Sequence, residues 1–191
     1  MDREEVLNIL KESGALLTGH FLLTSGKHSD KYIQCAQVLK YPEYTERLVA
    51  GVVKQLKGNY DLVVGPAIGG IIVAYEFARQ LKVPALFTER ENGEMALRRG
   101  FEIPEGANTL VVEDVITTGG SVKEVIDIVR ANGAVVNDVA VLVDRSAGKA
   151  KFDGANLTSL LQTNIQTYET DKCPLCKGDV SIIKPGSRSK K

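Results

Sequence analysis

Cysteine is scarce in this chain: three residues in 191, Cys35, Cys173 and Cys176. An odd count at such uneven spacing excludes a disulfide framework. Net charge is missing as well. The 24 basic and 24 acidic side chains sum to +0, which argues against nucleic-acid binding driven by a basic surface. No apolar run reaches the length of a membrane span. The start, Met1-Asp2-Arg3-Glu4-Glu5, lacks the apolar core of a signal peptide. No internal repeat recurs. These absences leave a globular chain expected in the cytoplasm. Its length suits one domain, and its 43% hydrophobic fraction suffices for a sizeable core.

The most informative stretch runs from Thr109 to Val122. Thr109-Leu110-Val111-Val112 has the composition of a buried parallel strand. Two carboxylates, Glu113 and Asp114, follow at its carboxyl end. After Val115 and Ile116 come Thr117, Thr118, Gly119, Gly120 and Ser121, a small-residue loop with three hydroxyls. Val122, Val125, Ile126 and Val129 then recur at helical spacing. Glycines let the backbone approach a ligand closely, and the N–H groups at the start of a helix favour an anion such as phosphate. Paired carboxylates beside a phosphate would repel it, so they must hold something else on the same ligand: ribose hydroxyls, or a hydrated Mg²⁺. A phosphate and a diol held together describe a phosphorylated sugar. The bland reading is an ordinary strand–turn–helix connection, but burying two carboxylates without a use is costly.

The remaining segments fill in an α/β chain. Asp2 with Glu5 reads as a capping box for a first helix that buries Val6, Leu7, Ile9 and Leu10 and ends at Gly14. His20 to Gln34 reads as two short strands around a polar turn, on spacing alone a solvated surface hairpin. Pro42 to Lys57 is an amphipathic helix. Asp61 to Val64 is a buried strand; Gly65-Pro66-Ala67-Ile68-Gly69-Gly70 is a glycine-rich loop, and Ile71 to Leu81 is a helix, a second strand–loop–helix unit. Val83 to Phe87 is a third strand, followed by a long polar hairpin from Thr88 to Phe101. A polar loop of this length beside a phosphate site is a candidate lid. Ala134 to Val143 leads into a strand ending at Asp144-Arg145, where parallel sheets bind ligands; the bland alternative is a surface ion pair between those two residues. Leu157 to Thr163 reads as an edge strand. Cys173-Pro174-Leu175-Cys176 is half of a zinc knuckle. Three readings stay open for it: a solvated reduced pair, a zinc site completed across a dimer, or a redox pair. Residues 187–191 are expected to fray.

The run Val111 to Ser121 resembles the signature of the type I phosphoribosyltransferases, position by position. That resemblance implies their α/β fold: a central, mostly parallel sheet flanked by helices, with a small hood. Here the hood is expected from about residues 1–40 plus the C-terminal segment, with a Cys-x-x-Cys tail at 170–191. It implies that Glu113 and Asp114 bind the ribose hydroxyls of phosphoribosyl pyrophosphate, with Mg²⁺ held near them through substrate and water. It implies that the run Val115, Ile116, Thr117, Thr118, Gly119, Gly120 and Ser121 cradles the 5′-phosphate. Ala67, Ile68 and Gly69 would receive the pyrophosphate, with a non-proline cis peptide near Ala67-Ile68. Arg90 matches a basic residue that contacts the sugar donor. The central Lys and His of the family's lid are not found between Asn92 and Leu97.

Within that family, Phe21 to Tyr32 resembles the hood of the orotate phosphoribosyltransferases: an aromatic, then Leu23-Thr24-Ser25-Gly26, then basic residues and Ser29. The resemblance spans residues 15–165. It implies transfer of a phosphoribosyl group to orotate in pyrimidine biosynthesis, giving orotidine 5′-monophosphate and pyrophosphate. Arg145 would bind the orotate carboxylate, Thr117 the pyrimidine, and Lys27 and Phe21 would complete the base site. His28, Lys27 and Arg90 are the candidates to assist the leaving pyrophosphate, His28 with a charge that depends on pH. A homodimer with a lid shared across its interface is implied too. Two alternatives stand beside this reading: a purine phosphoribosyltransferase, and a non-catalytic regulator that binds the sugar donor.

Overall fold

A computed structural model describes residues 1–23, 25–163, 165–178 and 181–185. The first half of the chain folds as α1 (Arg3–Glu12), β1 (Leu16–Leu22), β2 (His28–Ile33), α2 (Ala36–Leu39), α3 (Pro42–Val53), β3 (Leu62–Pro66) and α4 (Gly69–Leu81). It continues as β4 (Ala85–Glu91), β5 (Glu94–Leu97), β6 (Asn108–Ile116), α5 (Gly120–Ala131), β7 (Val135–Asp144) and β8 (Asn156–Gln162). Two short strands end it, β9 (Thr167–Tyr168) and β10 (Ile182–Ile183), with 3₁₀ turns at Thr170–Lys172 and Pro174–Lys177 between them. Thr24 and the terminal segment 187–191 lie outside the described residues.

The larger sheet has the order β5-β4-β3-β6-β7-β8. All its pairings are parallel except β4 with β5. Numbered along the chain, its five parallel strands lie in the order 2-1-3-4-5, so the winding reverses between β3 and β6. Ligands of open α/β sheets bind at the carboxyl ends of strands at such a reversal. The two glycine-bearing loops read from the sequence sit there, after β3 and after β6.

Side chains alternate across this sheet as strand geometry requires. Val63, Leu110, Val112, Ala140 and Leu142 face one core, covered by α3 and α4. Leu62, Val64, Val111, Val139 and Val141 face the other, covered by α5. The first core also takes in Val6, Ile9 and Leu10 of α1 and Ile33 after the hairpin, so the N-terminal segment is packed onto the main sheet. A second sheet, β10-β1-β2-β9, forms the hood.

Several boundaries and one cap differ from the sequence reading. β6 runs on through Glu113 and Asp114 to Ile116, because its ladder with β7 continues to the pair Ile116–Asp144. α3 stops at Val53, and α4 starts two residues early, at Gly69. The capping box is half made: Asp2 accepts from the Glu5 amide at 2.9 Å, while the Glu5 carboxylate pairs with Arg47 at 2.8 Å.

Phe77 of α4 is fully buried beneath the first glycine loop's helix. Phe77→Ala leaves a ring-sized void and is expected to cost about 3–5 kcal/mol, read as a lower urea midpoint at unchanged slope.

Candidate functional site

The loop after β6 lines an open cleft of about 310 Å³ with residues 115–122, joined by Arg90, Glu113 and Glu124. Thr117, Thr118 and Gly120 are exposed at its floor. Ile116 is buried and contributes only backbone: its carbonyl accepts from the Arg145 amide at 2.9 Å. Gly119 begins α5 with φ +78, and a Cβ there would stand 2.9 Å from the Phe152 ring. Both the handedness and the space call for glycine. The cleft thus ends on unpaired helix-start amides, a ready anion site. Arg90 overhangs it from β4, donating to the Gly93 carbonyl at 2.6 Å and to Glu124 at 2.7 Å.

The acidic pair faces the other loop. A Cβ on Gly69 would collide with the Asp114 carboxylate, and one on Gly70 would lie 3.3 Å from Glu113 Oε1. The peptide Ala67-Ile68 is cis, as the resemblance implied. The Ala67 amide is committed to the Thr88 carbonyl at 2.7 Å. An anion at this loop is therefore left to Ile68, Gly69 and the first turn of α4. The two cradles and the carboxylates between them form one continuous surface at the sheet's reversal.

Burial holds the carboxyl of Glu113 well above the usual carboxylate range, and the neighbouring Asp114 raises it further. Asp114 is raised too, by burial, against the pull of the Glu113 contact and backbone amides. Each carboxylate accepts one amide, Asp114 N–H on Glu113 Oε1 at 3.0 Å and Val115 N–H on Asp114 Oδ1 at 2.7 Å. Two oxygen-rich, desolvated acids with spare lone pairs fit a sugar diol and a hard cation such as Mg²⁺.

Arg145 leaves β7 and turns towards the hood. Its guanidinium carbon lies 5.8 Å from the centre of the Tyr32 ring, and its Nε is buried with no hydrogen-bond partner. Burial lowers its pKa. The bland alternative fails on geometry: Asp144 spends its carboxylate on the Ser146 amide at 2.7 Å. Phe21 is buried, 5.9 Å from Tyr32, so it supports Tyr32. The Cys35 thiol is pushed up by burial first, then by Asp114 and Glu113, while Arg145 pulls it down. Its thiol thus feels the charges of both the acids and the arginine. Tyr32 and Cys35 were missed in the sequence. Only the alternation of β2, which sets Tyr32 opposite Leu17, carried a hint.

Two hood candidates depart from expectation. His28 is buried, with Nδ1 2.9 Å from His20 Nε2 and 3.2 Å from Cys176 Sγ. It faces the tail and does not line the cleft, so it is no candidate for the leaving group. Lys27 is held at the hairpin turn by Glu169 at 2.6 Å, both side chains well exposed. Cys173 and Cys176, far from the histidines in sequence, stand beside them.

Replacing Glu113 by Gln together with Asp114 by Asn is expected to abolish uptake of phosphoribosyl pyrophosphate in calorimetry. The same change should raise Tm at pH 7.5. Acids with raised folded-state pKa values bind protons more tightly folded than unfolded, so their ionised forms weaken the fold and acidification relieves it. The Tm advantage should therefore shrink as pH falls towards about 4.

Comparison with known proteins agrees with this geometry. A family model described as the phosphoribosyl transferase domain matches residues 37–166. A protein of Desulforamulus reducens named orotate phosphoribosyltransferase is 53% identical over 189 residues, covering 98% of each chain. One of the same name from Thermoanaerobacter sp. is 54% identical, covering 98% of this chain and 99% of its own. The crystal structure of orotate phosphoribosyltransferase from Aeropyrum pernix, 30% identical, superposes with a TM-score of 0.70 over 82% of this chain and 93% of that one. On this similarity over nearly its whole length, the chain belongs to the orotate phosphoribosyltransferase family of type I phosphoribosyltransferases.

Proposed function

We propose that this chain transfers the phosphoribosyl group of phosphoribosyl pyrophosphate to orotate, in pyrimidine biosynthesis. The observation that carries the reading is Arg145, a half-buried side chain whose Nε–H is buried and unpartnered. Such a donor costs stability unless a ligand completes it, and a planar carboxylate fits its fork bidentately. Purine bases carry no carboxylate, which weighs against the purine alternative. Balanced charge weighs against a nucleic-acid-binding regulator.

In this reading the loop 117–121 holds the 5′-phosphate through its amides and hydroxyls. Glu113 and Asp114 accept hydrogen bonds from the ribose hydroxyls. The pyrophosphate rests on the Ile68–Gly69 loop. The bond from C1′ to the pyrophosphate oxygen breaks as the bond from C1′ to orotate N1 forms, with positive charge developing on the ring and the N1 proton passing to the departing pyrophosphate. The acidic pair stabilises that charge through the sugar, and Arg145 fixes the orotate so that its nitrogen faces C1′. Glu113 and Asp114 would hold Mg²⁺ through substrate and water, and the ion would supply positive charge to the departing pyrophosphate. Of the three residues considered for the leaving group, Arg90 alone overhangs the cleft. It serves as a fixed cation, not as an acid.

The working form is a cytoplasmic homodimer. Its support is an exposed apolar stripe, Ile68, Ile72 and Tyr75, which recurs at helical spacing along the start of α4. A second copy seated there lies beside the pyrophosphate loop, close enough for the segment 88–101 to act as a shared lid.

Mixing the chain with orotate, the sugar donor and Mg²⁺ is expected to consume orotate absorbance. Adenine or xanthine in its place should give no turnover, and the reverse pattern would reassign the base. Arg145→Ala should raise the KM for orotate at least about tenfold, equivalent to about 1.4 kcal/mol, while the KM for the sugar donor changes little. Tyr75→Glu should halve the mass seen by light scattering and depress activity; an unchanged mass refutes the stripe as the interface.

A further inference from the structure

The hood hairpin and the tail bring together four side chains that the transfer reaction does not use: His20, His28, Cys173 and Cys176. Their ligand atoms all lie within 4.8 Å of one another. Cys173 Sγ is 3.6 Å and Cys176 Sγ 3.7 Å from His20 Nε2, Cys176 Sγ is 3.2 Å from His28 Nδ1, and the two nitrogens are 2.9 Å apart.

We propose that these four residues of a single chain bind one Zn²⁺ in a closed structural site. In a tetrahedron with Zn–S of about 2.3 Å and Zn–N of about 2.0–2.1 Å, a thiolate and an imidazole nitrogen stand about 3.6 Å apart, and two imidazole nitrogens about 3.4 Å. The two sulfur–nitrogen edges to His20 are already near that length, and the Cys176–His28 edge is about 0.4 Å short of it. The histidine nitrogens need to part by about half an ångström. Two sulfurs and two nitrogens are the donor set that suits zinc among common divalent ions. Binding releases the two thiol protons to solvent.

The local structure is built to converge. Leu22 lies opposite His28 across the hairpin, and His20, two residues back on β1, is the diagonal neighbour on that face. The register slips between Thr18 and Phe21, the step that contains His20, and a bulge there re-aims its side chain. Cys173 caps the 3₁₀ turn Pro174–Lys177 and Cys176 lies within it; positions three apart eclipse in such a turn, so both sulfurs point the same way. Their spacing brings half of a knuckle and the hairpin brings the other half.

The site has a structural use. The tail adds only two-residue strands to each edge of the hood, β10 on β1 and β9 on β2. Among the described residues its further contacts are few: the Ser29 hydroxyl on the Gln166 carbonyl at 2.9 Å, Lys27 with Glu169, and the Thr170 hydroxyl on the Gly26 carbonyl at 3.2 Å. A sheet this small gains little from burial and needs a staple. A metal bound to the folded chain and not to the unfolded one supplies it.

Elemental analysis of the full chain, purified without an affinity tag, is expected to give one zinc per chain. X-ray absorption should fit two sulfur and two nitrogen neighbours. The metal-stripped chain should take up one equivalent of Co²⁺ with the visible bands of a tetrahedral thiolate site, bleached by Zn²⁺. Cys176→Ser and His28→Asn should each lower bound zinc at least tenfold. Stripping should lower Tm and open residues 167–178 to hydrogen exchange, while turnover remains measurable. The proposal is overturned if the unaltered chain neither holds zinc nor gives the cobalt spectrum. A Cys173–Cys176 disulfide in freshly isolated protein overturns it, as does zinc that survives His20→Asn with His28→Asn. If zinc vanishes in the monomeric Tyr75→Glu chain, the ligands come from two copies and the single-chain site is wrong.

Discussion

Two desolvated carboxylates, with no ion pair to either among the described residues, are the constraint around which the loop end of the main sheet is built. Glu113 and Asp114 are half-buried near the carboxyl end of a strand whose middle, Thr109 to Val112, is buried, and ionising both there is unfavourable. What makes the arrangement tolerable is geometry on either side. Gly69 and Gly70 leave room for the carboxylates, and backbone amides of Asp114 and Val115 take up one lone pair each. The rest of their hydrogen-bonding capacity is left for a ligand. Stability surrendered at such a point is recovered in binding, because the ligand's hydroxyls and cation meet acceptors that are already oriented.

The base end follows a similar logic with the opposite sign. Arg145 is half-buried over Tyr32, which rests on Phe21 of the hood. Its position depends on two separate parts of the fold: β7 supplies the backbone, and the hood hairpin supplies the platform. The hood is therefore more than a cover. Any loosening of its edges by loss of the tail would be felt at the arginine's aromatic support, which links the histidine–cysteine cluster indirectly to orientation of the base.

Much of this was legible in the sequence. The strand, the acidic pair and the loop after β6 are contiguous, so their chemistry could be read from one stretch. The same holds for the glycine loop after β3 and for Arg145 at a strand's end. What escaped depends on contacts between distant segments. Nothing near His28 says that it faces Cys176, 148 residues away, and a basic residue in a family motif position invited a catalytic reading. The extension of β6 through its acids was hidden because charged residues argue locally against a buried strand, and only the ladder to β7 overrides them. Tyr32 is one aromatic among several until Arg145 is placed over it.

Arg90 and Glu124 carry one more consequence. The guanidinium above the phosphate cradle already has a carboxylate companion at 2.7 Å, so an incoming phosphoester must win the arginine from a resident rival. A dianion can do so. In the proposed reaction a neutral pentose or nucleoside offers the arginine nothing to exchange, so the pair favours a charged sugar over an uncharged one.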